Sequence, residues 1–568
     1  MSTGYKIAEK DSRYYLGFAE KVFYHRHDVD KQANKLITFA TSPGRNAGKS
    51  IPCHQKACTM VRYTSEKQLS IEEFRTPFQA KLSPQNRWVK LSQVVPWDKF
   101  ASAYMAMMNT GFGRPGVSPR VVLGALIIKH LENLDDRGVV QAIQENIYMQ
   151  YFVGLKEFTV EPVFDPSLLV EIRKRAGYEL FDTLSTELIR SVSGKKDGRH
   201  NRKKVKDVVD EPENQGKLQA DATVADQYIA YPTDNGILNE SRKKCEKMID
   251  KLYEADGKQG VKPRTYRRAM DSAYLAYSKK RKKSKAAHRK MTRKLLESVN
   301  RNVNHIDRML DVFEKRGDRF PLSHAEQRLL WVIRTAYEQQ KQLYGTGSHS
   351  CPDRIVSIYQ PHVRPIPRGK VKSQVEFGAK LGVSLDDGFA RISTFSWDAY
   401  HEAGDLIGQV EAYKELHGHY PELVQVDRIY ATRENRDWLK ERGIRITAPP
   451  LGRKPVKTAQ TYHQKRKARR EATGRNHIEG KFGQGKNGYN LNKIRARLST
   501  TSESWVACIF FVMNLIRYQA KVFLCLLFIR ATRWVEHSPA SCRPLGSYPN
   551  QNPATETNTK HKYYKIAC

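Results

Sequence analysis

Apolar positions recur along the 568 residues in two periods, and the change between them divides the chain. From Phe74 to about Leu188 the step is helical. Trp88, Leu91 and the Val94-Val95 pair follow one another at three to four residues, which places them on one helix face. Ser118-Pro119 opens a stronger run, with Ser118 as N-cap and Pro119 at the first helical position. Val121, Val122, Ala125, Ile128 and Leu131 are its buried stripe. A second helix is predicted through Val139, Val140, Ile143, Ile147 and Tyr148, and a third from Asp165-Pro166 to near Gly177. Short helices joined by tight turns suit a helix-turn-helix DNA module or a plain helical packing domain.

A basic stretch, GKKDGRHNRKKVK (194–206), then interrupts the pattern. It reads as a linker, solvated or tracking a DNA backbone. Beyond it LQADATV (Leu218 to Val224) is strand-like. A long charged helical region follows from about Leu238 to Tyr344, with Leu295, Leu296, Val299, Val303, Ile306, Leu310 and Phe313 at helical steps. It contains SKKRKKSK (Ser278 to Lys285) and reads as a helical insertion, such as a hairpin with a basic face. Strands resume at Ile355. FGAKLGVSLDDGFARISTF (Phe377 to Phe395) is a predicted hairpin about Asp387-Gly388. A helix through Leu406, Val410 and Tyr413, the buried strand LVQVD (Leu423 to Asp427), a helix from about Thr432 to Arg442 and the strand IRITA (Ile444 to Ala448) complete an alternating α/β pattern.

Residues 1–59 show no sustained period. Their GRNAGKS (Gly44 to Ser50) falls short of a phosphate-binding loop, with three residues between its glycines instead of four. The N-terminus carries no apolar signal segment. Ile509 to Ile529 is apolar, but Asn514, Arg517, Gln519 and Lys521 interrupt it. It is read as a buried helix, because a spanning helix needs roughly 20 mostly apolar residues. The tail from Arg530 is polar and predicted to be disordered. Charge sharpens the picture: 98 Lys and Arg face 60 Asp and Glu, a net +38. Such a surplus needs an anionic partner, and nucleic acid is the default one. Eight scattered cysteines suit a reducing cytosol. Cys53, His54 and Cys58 do not complete a four-ligand zinc pattern.

Three acids stand out by placement. Asp221 lies in a predicted strand, Asp427 ends another where strand meets loop, and Glu479 sits on a helix among basic residues. Each alone is more often a surface residue. Together they are oxygen ligands of the kind that holds two divalent cations, with Mg²⁺ the expected metal, for phosphodiester cleavage. Arg475, Glu479 and Lys486 share one helical face at spacings of four and seven. An ordinary i,i+4 salt bridge is the plainer account. Gly480, Gly483 and Gly485 argue against it, since each costs about 1 kcal/mol in a helix interior unless a backbone approaches DNA or a sheet closely.

At these residues the chain resembles the insertion-sequence-five group of bacterial transposases, within the insertion-sequence-four type DDE superfamily. The carrying segments are MVRYTSEKQLSIEEF (Met60 to Phe74), NRWVKLSQVVPWD (Asn86 to Asp98), DATVADQYIAYPTD (Asp221 to Asp234), QPHVRPIPRGK (Gln360 to Lys370), FGAKLGVSLDDGFARISTFSWDAY (Phe377 to Tyr400), VDRIYATRENRDW (Val426 to Trp438) and RNHIEGKFGQGKNGYNL (Arg475 to Leu491). The last matches the R-x3-E-x6-K signature; Ala472 stands where the family has Tyr. The resemblance implies an α/β, ribonuclease H-like catalytic domain (211–529, helical insertion about 238–350) with Asp221, Asp427 and Glu479 as its metal-binding triad. It implies an all-α DNA-binding domain at 60–193, joined by the linker 194–210, between an upstream extension (1–59) and a polar tail (530–568). Arg475, Lys486 and Arg433 are the expected DNA contacts. The implied protein is a cytoplasmic, nucleoid-associated homodimer, without a membrane partner. It would cleave the inverted repeats of its element and join them to target DNA. A decayed copy that only binds DNA, and a nuclease that cuts without joining, are the alternatives.

Overall fold

The computed structural model describes residues 74–76, 81–108, 116–193, 213–367, 375–448 and 462–537, the last twelve as backbone. The expected extension (1–59), the linker through 212 and the tail beyond His537 lie outside the described residues, as do the cysteine cluster at 53–58 and GRNAGKS.

Seven described helices open the fold: α1 (Arg87–Val94), α2 (Trp97–Ala106), α3 (Pro119–Leu131), α4 (Asp136–Glu145), α5 (Ile147–Phe152), α6 (Ser167–Ala176) and α7 (Glu179–Ser193). The predicted stripe on α3 is in fact a helix buried at every position from Pro119 to His130. It is the hub about which its neighbours pack. The expected single helix through Val139 and Tyr148 is broken in two. Asn146 is extended there, and its side chain accepts hydrogen bonds from the amides of Tyr148 (2.9 Å) and Met149 (3.2 Å), capping a new helix.

The sheet contains β1 (Lys217–Asp226), β2 (Arg364–Pro367), β3 (Val375–Asp386), β4 (Phe389–Ser396), β5 (Leu423–Val426) and β6 (Arg445–Ile446). Its order is β2-β3-β1-β5-β6, with β4 also on β3. β3 runs antiparallel to β1, β2 and β4, while β1, β5 and β6 are parallel. The β3–β4 turn is made by Asp387 and Gly388, both at positive φ, as the Asp-Gly pair predicts.

Between β1 and β2 lie α8 (Asp234–Ala255), α9 (Arg267–Ser278), α10 (Lys285–Arg316) and α11 (His324–Thr346). They enclose an apolar core of their own, from Ile237 to Ile358. The basic cluster Ser278 to Lys285 is not a helix face. It is an exposed connection, ended where the Ser284 hydroxyl caps α10.

After β4 come α12 (Asp405–His417), α13 (Arg433–Glu441), α14 (Tyr462–Gly474), α15 (Asn476–Gly488) and α16 (Ser499–His537). One sheet face packs Leu218, Ala220, Val424 and Val426 against α12 and α13. The other packs Ala379, Leu381 and Val383 against α15 and α16, and this core continues into α1–α7. The opening helices and the sheet therefore share one interior. α16 is long and apolar enough over Ser499–Cys525 to cross a membrane, but half of that window is buried in the protein. Three of its polar interruptions, Asn514, Arg517 and Lys521, face the β3–β4 hairpin. Asn514 bonds both backbone groups of Ala390 on edge strand β4 (2.9 and 2.7 Å), satisfying an otherwise open edge. Arg517 donates to the Asp387 carbonyl (3.1 Å), and Lys521 pairs with the Asp387 carboxylate.

Candidate active site

The sheet register creates the site. In the parallel pair β1–β5, Gln219 is opposite Gln425 and Ala220 opposite Val426. The next residue in each strand is an acid, Asp221 and Asp427. Neighbouring strands lie about 4.8 Å apart, so the acids are adjacent, on the face of the glutamines two residues earlier. Each carboxylate accepts from the following backbone amide: Ala222 to Asp221 (2.8 Å) and Arg428 to Asp427 (2.7 Å). Asp427 thereby caps a 3₁₀ turn and stays exposed, whereas Asp221 is half-buried. Burial pushes the Asp221 carboxyl up to about 6; the negative charges of Glu402 and Asp427 add to this, against the Ala222 amide and Arg475.

The two glutamines bring a helix to these acids. The Gln219 amide donates to the Gln425 side-chain oxygen (2.9 Å) and to the Gly474 carbonyl (2.8 Å), while Gln425 donates to the Glu471 carbonyl. The end of α14 is thus pinned to the sheet. Gly474 leaves room for this contact, since a Cβ would stand 2.5 Å from the Gln425 amide nitrogen and displace that side chain. The chain turns at once into α15, whose Ile478, Phe482 and Gly485 are buried.

Arg475 leaves this corner towards the acids. Its guanidinium pairs with Glu479 (3.1 Å) and reaches Asp427 (3.9 Å). Arg475 therefore links Glu479 to Asp427, and its charge also acts on Asp221. Lys486 is on the same helix but lies against the far end of β1, paired with Glu376 (3.3 Å) and Asp226 (3.7 Å). Arg433 is exposed in the first turn of α13, six residues beyond Asp427. Of the helix glycines, only Gly485 is in close packing, with Leu491 at 3.2 Å from an added Cβ; Gly480 and Gly483 face open space. On that flank His477, Gly480 and Lys481 border a cleft of about 1550 Å³ also lined by Lys217 and Arg517. Burial, with Arg517 nearby, pushes the Lys481 ammonium down to about 8.

Among the described residues no group of three or more His, Cys, Asp or Glu is drawn close enough to hold a metal ion. The donor chemistry nonetheless fits a hard divalent cation, because the neighbouring groups are carboxylate oxygens. Asp221, raised mainly by burial and further by the carboxylates of Glu402 and Asp427, is an acid whose charged form a cation would stabilise.

A family model described as Transposase DDE domain matches residues 424–516, and one described as Transposase domain (DUF772) matches 76–175. A protein of Rhizobium meliloti, "Uncharacterized protein ORF8 in nfe locus", is 30% identical over 162 residues, 28% of this chain and 72% of the relative. The chain belongs to the DDE transposase family. No solved structure matches it. The first family match contains Asp427, Arg475, Glu479 and Lys486, and the second covers the helices around α3.

Three residues of this transposase's site escape a reading of single acids. Gln219 and Gln425 had a signal: Gln-x-Asp occurs in both strands, as QAD and QVD. Glu402 had none. It lies in a short 3₁₀ turn, ion-paired to Lys380 (3.2 Å), and acts on Asp221 only through the fold.

Proposed function

We propose that this protein is an active transposase that binds the inverted repeats of its element, cleaves the ends and joins them to target DNA. Asp221, Asp427 and Glu479 hold two divalent cations, Mg²⁺ by donor hardness. When bound, such cations polarise a phosphoryl oxygen and acidify a water. The observation that carries the reading is the β1–β5 register, which makes Asp221 and Asp427 neighbours where Glu479 is delivered by the pinned helix. The catalytic region is ribonuclease H-like: its first strand is central, antiparallel neighbours lie on one side and parallel crossover strands on the other. Its span is 211–529, interrupted by the insertion, and 60–193 binds DNA.

The side chains divide the work. Asp221, once deprotonated, and Asp427 present oxygens from the sheet, and Glu479 presents its own from the helix. Arg475 neutralises Glu479 at rest and orients a phosphate in the complex. Arg433 and Lys486 hold flanking phosphates, which position DNA without reading bases. The working form is a cytoplasmic, nucleoid-associated homodimer.

The test uses duplex DNA bearing the element's repeats. Asp221→Asn, Asp427→Asn and Glu479→Gln should each lower Mg²⁺-dependent end cleavage at least roughly 100-fold, with repeat affinity retained. Cleavage near the wild-type rate in any one variant removes that residue from the triad, and cleaved ends that never join target DNA would mark a nuclease.

A further inference from the structure

β1 does not end in an ordinary loop. Its continuation is fixed on both sides at Gln227 and Tyr228. The Gln227 amide donates to the Phe377 carbonyl (2.8 Å) and the Tyr228 amide to the Ile494 carbonyl (2.9 Å). The buried Gln227 side chain lies against Gln360, Ile494 and Ala496. Two tyrosines on this segment are exposed, Tyr228 at 61% and Tyr231 at 79%. Tyr231 is braced edge-on by Phe377 with 5.7 Å between ring centres. Tyr359, beside Gln360, adds a third ring at 47% exposure, its hydroxyl donating to Glu240 (3.2 Å).

Cations surround these rings. The Lys493 ammonium is 5.1 Å from the centre of Tyr228, and the Lys244 ammonium is 5.1 Å from that of Tyr359. Arg497 is close enough to act on the Tyr359 hydroxyl. A single exposed tyrosine is ordinary. Two on one short segment and a third next to the Gln360 that meets Gln227, with lysines over two of them, combine flat aromatic surface with positive charge. That is the combination that binds unpaired nucleotides, whose bases stack while their phosphates meet cations. A protein partner would instead favour an apolar patch depleted of lysine.

We propose that Tyr228, Tyr231 and Tyr359 form a stacking platform for unpaired DNA bases. The proposal rests on the transposase reading for its biological setting. Its place fits that setting, since the chain runs along β1 from Gly474, the end of α14, at Gln219 to Lys486 of α15 at Asp226. Asp221 and Tyr228 are separated by about 23 Å of extended chain, or about seven stacked base steps. Bases opened near a cut end would reach the platform while the backbone runs past the carboxylates.

The experiment measures binding of the full chain, without divalent metal, to a fluorescein-labelled oligo-dT and to a random duplex of equal length. Tyr228→Ala/Tyr231→Ala should weaken oligo-dT binding by at least roughly tenfold and change duplex binding less than twofold. Tyr228→Phe/Tyr231→Phe should restore it, because the ring and not the hydroxyl stacks. Thermal melting checks that both variants fold. Unchanged oligo-dT affinity in the alanine variant overturns the platform, as does an equal loss on duplex, or failure of the phenylalanine variant to recover. Neither repeats nor cleavage enters the assay. Inactive wild-type protein would therefore count against the transposase reading alone, and an alanine variant that keeps wild-type oligo-dT affinity against the platform alone.

Discussion

The side-chain amide of Gln219 donates to that of Gln425 across β1 and β5 at 2.9 Å, two residues before the acid in each strand. This pair ties the sheet's acids to the helix that carries Glu479, since each glutamine also holds a carbonyl at the end of α14. Gln425→Leu keeps the volume but leaves the part-buried Glu471 carbonyl without that donor, which costs about 1 kcal/mol. The larger effect should fall on chemistry, because a displacement of about 1 Å can cost roughly 100-fold in rate. End cleavage should fall 10- to 100-fold while repeat binding holds. Gly474→Ala, which pushes a Cβ into Gln425, should do the same. Full activity in both variants would mean that the pair only pads the core.

On the proposed role of Glu479, Arg475 and a divalent cation would compete for its carboxylate. An exposed pair of this kind is worth about 0–1 kcal/mol. Arg475→Gln should therefore tighten Mn²⁺ binding by up to roughly fivefold, yet lower cleavage through loss of the phosphate contact. Calorimetric titration of the DNA-free protein reads the first effect. Weaker Mn²⁺ binding in the variant would show that Arg475 instead holds Glu479 in a ligating position.

Much of this could be read from the chain, and the remainder has physical causes. Strand β5 and the β3–β4 hairpin were legible because period-two runs and Asp-Gly have few alternative structures. The break at Asn146 was not, since an apolar helical step runs through it and only the extended Asn backbone shows the second cap. SKKRKKSK looked helical because its flanks are. The Ser284 cap that excludes it from α10 is a local hydrogen bond. Asp221, Asp427 and Glu479 could be named singly from the resemblance, but their relation depends on cross-strand register and on two amides that pattern alone does not pair. Residues 60–193 read as a separate domain; their core is continuous with the sheet through α16, whose role appears only once Asn514 and Trp505 have partners.

Asp221 predicts a pH dependence. Burial raises its carboxyl to about 6, so the folded chain holds this proton more tightly than the unfolded one, near the usual value of about 3.9. Two consequences have opposite signs. Mn²⁺ affinity should fall as pH drops below 6, by up to about tenfold per unit, and level off above it. Without metal, the Asp221 contribution to stability should decline as pH rises from about 4 to 6 and be absent in Asp221→Asn. Mn²⁺ affinity constant between pH 5 and 7 would contradict the shifted acid.

The strongest stability prediction concerns the join between the two family-matched regions. Lys129 on α3 and Arg173 on α6 both pair with Asp136 on α4, at 2.5 and 2.6 Å, and both lie over the ring of Trp505 on α16, at 3.8 and 5.1 Å. The cations are 0% and 5% exposed as side chains, so one carboxylate and one indole compensate two buried charges. Burial alone would raise the Asp136 acid, but Arg173 and Lys129 outweigh it and hold the carboxyl below its usual range. Burial meanwhile pushes Lys129 down to about 8. Asp136→Asn removes the only full counter-charge in this network and should cost about 3–5 kcal/mol. Trp505→Leu, which keeps the ion pairs, should cost less on the electrostatic account. Because the folded Asp136 acid is depressed, its stabilisation is present above the unfolded value of about 3.9 and disappears as pH falls through the folded value. Urea midpoints at pH 7 should therefore separate wild type from Asp136→Asn widely, and the gap should close toward pH 3. A gap under about 1 kcal/mol at pH 7 would show that water reaches this network and screens it, as at an exposed pair.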